Sequence, residues 1–200
     1  MRISQVRIPV ANRKWQRFLA NPYVQHAELA SCFEGDPRFL YRLEPEAADG
    51  LATLLVQSNT EPRWIASDLL GQLSPQMRAS KEFALGLTTG TVLRFRVRAN
   101  PTVKRDGKRR AVIGETSLVE WLERKLGAIG ARLCGAVVIP EGPLRAARSE
   151  PHGRRSMTFS SVRFEGEVEV VDPEMFRLGV EAGIGSAKAF GFGLVSLARR

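Results

Sequence analysis

The sequence predicts an α+β protein of two tandem βαββαβ domains, and three observations carry that expectation. Its 200 residues accommodate two domains of about 100 residues each. Its hydrophobic share of 44% is ample for packed cores. Strand-like alternation and helix-like spacing also recur in the same order along both halves.

The elements follow in chain order. Residues 2–10 alternate, with Ile3, Val6 and Ile8 set between polar groups, and Pro9 closes this strand. Residues 12–19 place Trp15, Phe18 and Leu19 at helical spacing. Asn21-Pro22 opens a second helix, with an N-cap residue followed by proline at the first helical position. Tyr23, His26, Ala27, Ala30 and Phe33 lie towards one face of it. Residues 38–44 and 51–58 read as paired strands joined by the turn signal Ala48-Asp49-Gly50. No clear helical pattern covers residues 59–88, and 75–83 reads as a short helix or a loop. Residues 91–99 alternate cleanly, Arg94, Arg96 and Arg98 interrupting Leu93, Phe95 and Val97.

The second half repeats the rhythm. Ser117 and Glu120 have capping-box spacing ahead of Leu118, Trp121, Leu122, Leu126 and Ile129. Residues 131–139 form an apolar strand, and 155–164 with 166–172 read as a hairpin about Glu165-Gly166. Residues 173–182 form a helix opened by proline, and 192–198 a closing strand. Strand, helix, strand, strand, helix, strand is the ferredoxin-like order. The expected division is an N-terminal domain over 1–100, a basic linker or hairpin over 101–112, and a C-terminal domain over 113–200.

A net charge of +9 points to a polyanionic partner. Nucleic acid fits better than an acidic membrane, because no basic amphipathic helix stands out. No apolar run is long enough to span a bilayer, and the opening residues lack the core of a signal peptide. Two cysteines, Cys32 and Cys134, make neither a disulfide framework nor a zinc site. A cytoplasmic protein is expected. The carboxylates show no metal-ligand spacing, and Glu165, Glu167 and Glu169 read as the exposed face of an edge strand. No cofactor or metal is expected.

The chain has only two histidines. His152 lies between proline and glycine in a loop pattern. His26 follows Tyr23 by three residues, so both project from one side of a first helical turn. Free amides and the positive dipole end of that helix would attract a phosphate and disfavour protonated imidazole. RNA cleavage by the neighbouring 2′-hydroxyl needs little beyond a proton acceptor and a proton donor, and histidine suits either task. Tyr23 would orient the nucleophile or steady the developing charge. Packing of both rings against the first sheet is the competing account.

Two basic clusters stand out. Arg94, Arg96, Arg98, Lys104, Arg105, Lys108, Arg109 and Arg110 meet only Asp106 as an opposing charge within their own stretch. Arg145, Arg148, Arg154, Arg155 and Arg163 span a loop and a strand. Both suit phosphate contact. The run Gly183-Ile-Gly-Ser-Ala-Lys-Ala-Phe-Gly-Phe-Gly-Leu suits either a structural turn or a phosphate cradle. In it, Gly185 and Lys188 are the candidate contacts.

Several stretches together resemble one known family. They are Ile3-Ser-Gln-Val-Arg-Ile-Pro, Asn21-Pro-Tyr-Val-Gln-His, Phe39-Leu-Tyr-Arg-Leu-Glu, Leu55-Val-Gln-Ser, Arg94-Phe-Arg-Val-Arg-Ala-Asn-Pro-Thr-Val-Lys-Arg, Trp121-Leu-Glu-Arg and the glycine-rich run. The chain resembles the CasE endoribonucleases of CRISPR type I-E systems, subunits of the Cascade complex. The resemblance implies two RRM-like domains and metal-independent cleavage of precursor CRISPR RNA at the repeat hairpin. The ends would be a 5′-hydroxyl and a 2′,3′-cyclic phosphate. It also implies retention of mature crRNA alongside other Cascade subunits. Its catalytic tyrosine and histidine fall on Tyr23 and His26. Some relatives carry a lysine shortly after that histidine, whereas this chain has Ala27-Glu-Leu-Ala-Ser-Cys. An arginine from elsewhere, or Lys188, would have to replace it. RNA contacts are expected from Arg98, Lys104, Arg105, Arg109, Arg110, Arg154, Arg155 and Arg163. A non-catalytic RNA-binding or assembly subunit is the rival reading.

Overall fold

The computed structural model describes residues 1–35, 38–44, 49–84, 86–150 and 153–200, with the side chains of 148–150 and 153–155 outside that description. The expectations for His152 and for the side chains of Arg148, Arg154 and Arg155 therefore lie outside the described residues. The chain divides into two units. The first is Met1–Ala84 with Arg145–Thr158 and Ala189–Gly191, and the second holds Leu85–Leu144, Phe159–Lys188 and Phe192–Arg200.

In the first unit, β1 (Arg2–Pro9) is followed by α1 (Arg13–Ala20), α2 (Pro22–Ser31), β2 (Phe39–Glu44) and β3 (Leu51–Ser58). Three 3-10 turns (Trp64–Ala66, Leu70–Gln72, Pro75–Met77) then lead into β4 (Arg78–Glu82). The sheet order is β2-β3-β1-β4 with every neighbouring pair antiparallel, the ferredoxin-like arrangement. Val6 lies opposite Leu54 and Ile8 opposite Ala52, all four buried. The third inward position of β1 is Ser4, not Ile3, and its hydroxyl meets Ser80 Oγ at 3.0 Å.

Where the ferredoxin-like order calls for a second helix, Pro62, Gly71 and Pro75 break any helical run into 3-10 turns. Leu69, Leu70 and Leu73 from those turns still fill the core beside Phe18, Leu29 and Tyr41. The Glu28 carboxylate fastens the turns to α2 by accepting from the Leu69 amide at 3.0 Å. Residues 75–83, read as helix or loop, thus end in the edge strand β4. Its sequence is too polar to alternate visibly.

The second unit comprises β5 (Val92–Ala99), the hairpin β6 (Thr102–Arg105) with β7 (Lys108–Ala111), α3 (Glu115–Gly127), β8 (Ala131–Glu150), β9 (Gly153–Val170), α4 (Pro173–Ala182) and β10 (Val195–Arg199). A sheet of order β10-β5-β9-β8 repeats the ferredoxin-like arrangement. Its first strand is β5, which the sequence pattern assigns to the N-terminal domain, before the boundary at residue 100. The first domain is closed by β4 instead. Leu93, Phe95 and Val97 face a core with Phe164, Val168, Phe176 and Trp121, whose ring stacks on Phe164 at 6.0 Å.

The structure corrects three local expectations. Gly166 makes no turn: β9 runs straight through Glu165-Gly166. A Cβ on Gly166 would come within 2.0 Å of the Gly135 carbonyl oxygen, so this glycine admits the backbone of β8. β9 is an interior strand, and its outward acids face arginines: Glu165 opposes Arg96 and Glu167 opposes Arg94. Finally, α3 begins after Gly114, which places Ser117 inside the helix rather than at its cap.

Candidate active site

The first turn of α2 is built as its sequence predicts. The Asn21 side chain accepts a hydrogen bond from the Tyr23 amide at 3.1 Å, with Pro22 next in the helix. The other end of the same side chain donates to the Ala147 carbonyl at 2.9 Å. Buried Gln25 donates to the carbonyls of Phe18 at 3.1 Å and Leu19 at 2.9 Å, satisfying the last turn of α1. Beneath the turn, fully buried Tyr41 shares its one hydroxyl hydrogen between the Pro22 and Ala189 carbonyls, each at 3.1 Å. Burial drives the Tyr41 hydroxyl far above its ordinary pKa, so this anchor stays protonated. Gln25 and Tyr41 lie in stretches that carry the family resemblance, but no pattern in the sequence assigns either a role. Their roles follow from which carbonyls they reach.

The cap has a consequence for anion binding. The amides of Val24 and Gln25 donate to the Asn21 carbonyl, and that of Tyr23 to the Asn21 side chain. The free amides expected at this helix mouth are therefore occupied, and its dipole alone remains for a phosphate.

Tyr23 and His26 line one open cleft of about 1040 Å³. That is just above the roughly 300–1,000 Å³ range of small-ligand sites. Arg17, Asn21, Arg145, Ala147 and Phe190 share its walls. The Tyr23 ring meets Phe190 edge-on at 5.0 Å, and the His26 ring lies 5.2 Å from that of Phe39. Both rings are half-buried, so each packs on one side and faces the cleft on the other. Burial lowers the His26 pKa below its ordinary 6.5, which leaves the imidazole neutral at neutral pH. Among the described residues, no three His, Cys, Asp or Glu side chains converge as metal ligands.

The expected basic contacts separate into distinct environments. Arg98 forms two hydrogen bonds to Glu141, at 2.6 and 3.2 Å. Arg163 lies 3.3 Å from Glu165 and 3.8 Å from Glu141. Burial pushes the Glu141 pKa up, but Arg98, Ser161 and Arg163 together outweigh it and hold the carboxyl below its ordinary value. These arginines belong to a charge lattice on the sheet, and its acids supply opposing charge that their own stretch of sequence lacks. Lys104, Arg105, Lys108, Arg109 and Arg110 project from the β6–β7 hairpin, exposed and without an ion pair among the described residues.

The glycine-rich run is mostly committed to folding. A Cβ on Gly185 would touch the Trp121 ring at 3.3 Å, and one on Gly193 would meet the Ile184 carbonyl oxygen at 2.6 Å. The Gly193 amide donates to the Arg98 carbonyl at 2.8 Å. The Lys188 ammonium donates to the Ala182 carbonyl at 2.6 Å, at the negative end of α4.

Arg17 and Arg145 are the cations that sequence reasoning does not assign to the cleft. Arg17 gives no signal at all, and Arg145 registers only as part of a basic cluster.

Comparisons with known proteins agree with this architecture. A family model described as "CRISPR associated protein" matches residues 1–199. The chain is similar to the CRISPR-associated endoribonuclease Cse3 of Thermus thermophilus, 36% identical over 213 residues covering 99% of this chain and 100% of the relative. It is also similar to the CRISPR system Cascade subunit CasE of Escherichia coli, 30% identical over 204 residues, 93% of this chain and 94% of that protein. Among solved structures, Thermus thermophilus Cse3 bound to an RNA representing a pre-cleavage complex matches with a TM-score of 0.80 and 34% identity, over 98% of each chain.

Proposed function

This chain belongs to the CRISPR-associated protein family, and we propose that it is an endoribonuclease that cuts precursor CRISPR RNA at the repeat hairpin and keeps the product within a Cascade assembly. One observation carries this reading: Tyr23 and His26, fixed on a single turn by the Asn21 cap, face the same open cleft. The names of the relatives, an endoribonuclease and a Cascade subunit, agree with it.

The reaction uses the RNA's own nucleophile. The neutral His26 imidazole takes the 2′-hydroxyl proton, and the 2′-oxygen attacks the adjacent phosphorus. The bond from phosphorus to the 5′-oxygen breaks, and solvent at the open cleft protonates the leaving oxygen. Tyr23 donates its hydroxyl hydrogen to the reacting group and orients it. The products carry a 2′,3′-cyclic phosphate and a 5′-hydroxyl, and no step calls for a metal ion.

The test is cleavage of the cognate repeat hairpin in EDTA, with chemical identification of both new ends. His26→Ala should lower the single-turnover rate by about 10²–10⁴-fold while leaving hairpin affinity within a few-fold. Cleavage by His26→Ala at the wild-type rate, or 3′-hydroxyl and 5′-phosphate ends, would refute this mechanism, and an RNA left whole by the wild type would leave only a passive RNA-binding subunit.

A further inference from the structure

We infer that Arg17 and Arg145 supply the positive charge that holds the scissile phosphate, an inference that rests on the function proposed above. The segment after His26, Ala27 to Cys32, contains no cation. The amides of the first turn of α2 are already occupied by the cap. A phosphate entering beside His26 must therefore meet side-chain charge.

Among the described residues lining the cleft, the arginines are Arg17 and Arg145. Arg17 extends from the last turn of α1, and Arg145 from β8. Both are exposed, and neither joins an ion pair among the described residues. Contrast Arg98 and Arg163, whose charges are answered by Glu141 and Glu165. Among the described residues the cleft's lining holds no carboxylate, so like charges sharing it repel one another, and a bound phosphodiester relieves that repulsion.

The guanidinium fork matches the two non-bridging oxygens of a phosphodiester, which accept parallel N–H bonds. As the 2′-oxygen attacks, negative charge builds on those oxygens, and donors fixed beside them stabilise the transition state more than the ground state. The connections that set the cleft also set the arginines. Gln25 ties the end of α1, which carries Arg17, to α2. Asn21 ties α2 to Ala147, two residues beyond Arg145 on β8.

The decisive experiment measures single-turnover cleavage at saturating protein in EDTA for the wild type, Arg17→Ala, Arg145→Ala, the double variant and both lysine variants. Hairpin affinity and thermal midpoint are recorded for each. Each alanine substitution should slow cleavage by about 10- to 100-fold at saturation, at or below the low end of the roughly 10²–10³-fold effect of losing one oxyanion donor, because the two arginines share the charge. Midpoints should hold, because both side chains are exposed. Added guanidinium should partly restore Arg17→Ala and not His26→Ala. A single non-bridging phosphorothioate at the scissile linkage should impair the wild type more than Arg17→Ala. Wild-type cutting with unchanged rates in both alanine variants overturns this inference alone, as does a loss confined to affinity. A wild type that leaves the RNA whole overturns the parent reading with it, and that result is visible without any arginine variant.

Discussion

Substituting Asn21 tests how the cleft is held together, because its side chain does two separable jobs. Its oxygen caps α2 at the Tyr23 amide, and its nitrogen donates to the Ala147 carbonyl. Loss of such a cap costs about 1 kcal/mol. Loss of the second hydrogen bond adds roughly 0.5–1.5 kcal/mol, because a half-buried carbonyl is left for water to satisfy. Asn21→Ala should therefore destabilise the protein by about 2 kcal/mol. At about 2–4 °C per kcal/mol for a protein of this size, the thermal midpoint falls by roughly 4–8 °C. Asn21→Ser keeps a capping oxygen but cannot reach Ala147, and should lose about 1 kcal/mol, the bridging contribution alone. Asn21→Asp also caps, but it points a carboxylate at a carbonyl and adds negative charge to the cleft proposed to hold phosphate. It should bind RNA more weakly than the serine variant. Calorimetric midpoints and cleavage rates of the three variants provide the comparison. A misplacement of the first turn by about 1 Å would slow cleavage roughly 10²-fold, so the alanine variant should lose rate along with stability. If Asn21→Ala melts with the wild type, or Asn21→Ser falls as far as alanine, the two-job account is wrong.

The pH dependence follows from the burial of His26. As a base it works only when neutral, so the single-turnover rate should rise with pH through a midpoint below 6.5 and then level off. A rate that instead declines as pH climbs past that midpoint would assign His26 the acid's role. Stability has the matching sign. Above 6.5 the imidazole is neutral in folded and unfolded chains alike, whereas below 6.5 the unfolded chain takes up the proton first and the fold loses stability. His26→Asn should flatten that part of the curve in urea titrations across pH 5–7. For the hairpin, replacing Lys104, Arg105, Arg109 and Arg110 with alanine should make log K less steep against log salt by about 0.7–0.9 for every phosphate that is no longer neutralised. An unchanged slope would remove the hairpin from the RNA interface.

What the sequence made legible was local. Asn21-Pro22 states where α2 begins, and the three-residue offset from Tyr23 to His26 then places both rings on one side. The alternation of β1 and β5 was equally plain, because each buries one face, whereas β2 buries Leu40, Tyr41 and Arg42 in succession. The misreadings came where the deciding residue lies outside the motif being read. Gly166 looks like a turn residue until the Gly135 carbonyl is seen against it. Ser117 looks like a cap until Gly114, at φ 91°, is seen to start the helix three residues earlier. The cleft's cations were hidden for the same reason, since no spacing rule links Arg17 to Arg145.

The same point governs how the net charge of +9 should be interpreted. Counted along the chain, Arg94, Arg96 and Arg98 resemble a phosphate track opposed by almost nothing. Folded, Arg94 and Arg96 face Glu167 and Glu165 across β9, and Arg98 holds Glu141. An anion seeking Arg96 or Arg98 must displace carboxylates already paired with them, and part of its Coulomb gain disappears in doing so. The hairpin cations and the two cleft arginines meet no such competitor among the described residues. At equal exposure they are the more favourable sites for phosphate, so a cationic surface should be judged by the charges left unanswered after folding. On that criterion, alanine at Arg98 or Arg163 disturbs the sheet before it disturbs RNA, whereas alanine at Arg17, Arg145 or the hairpin positions does the reverse.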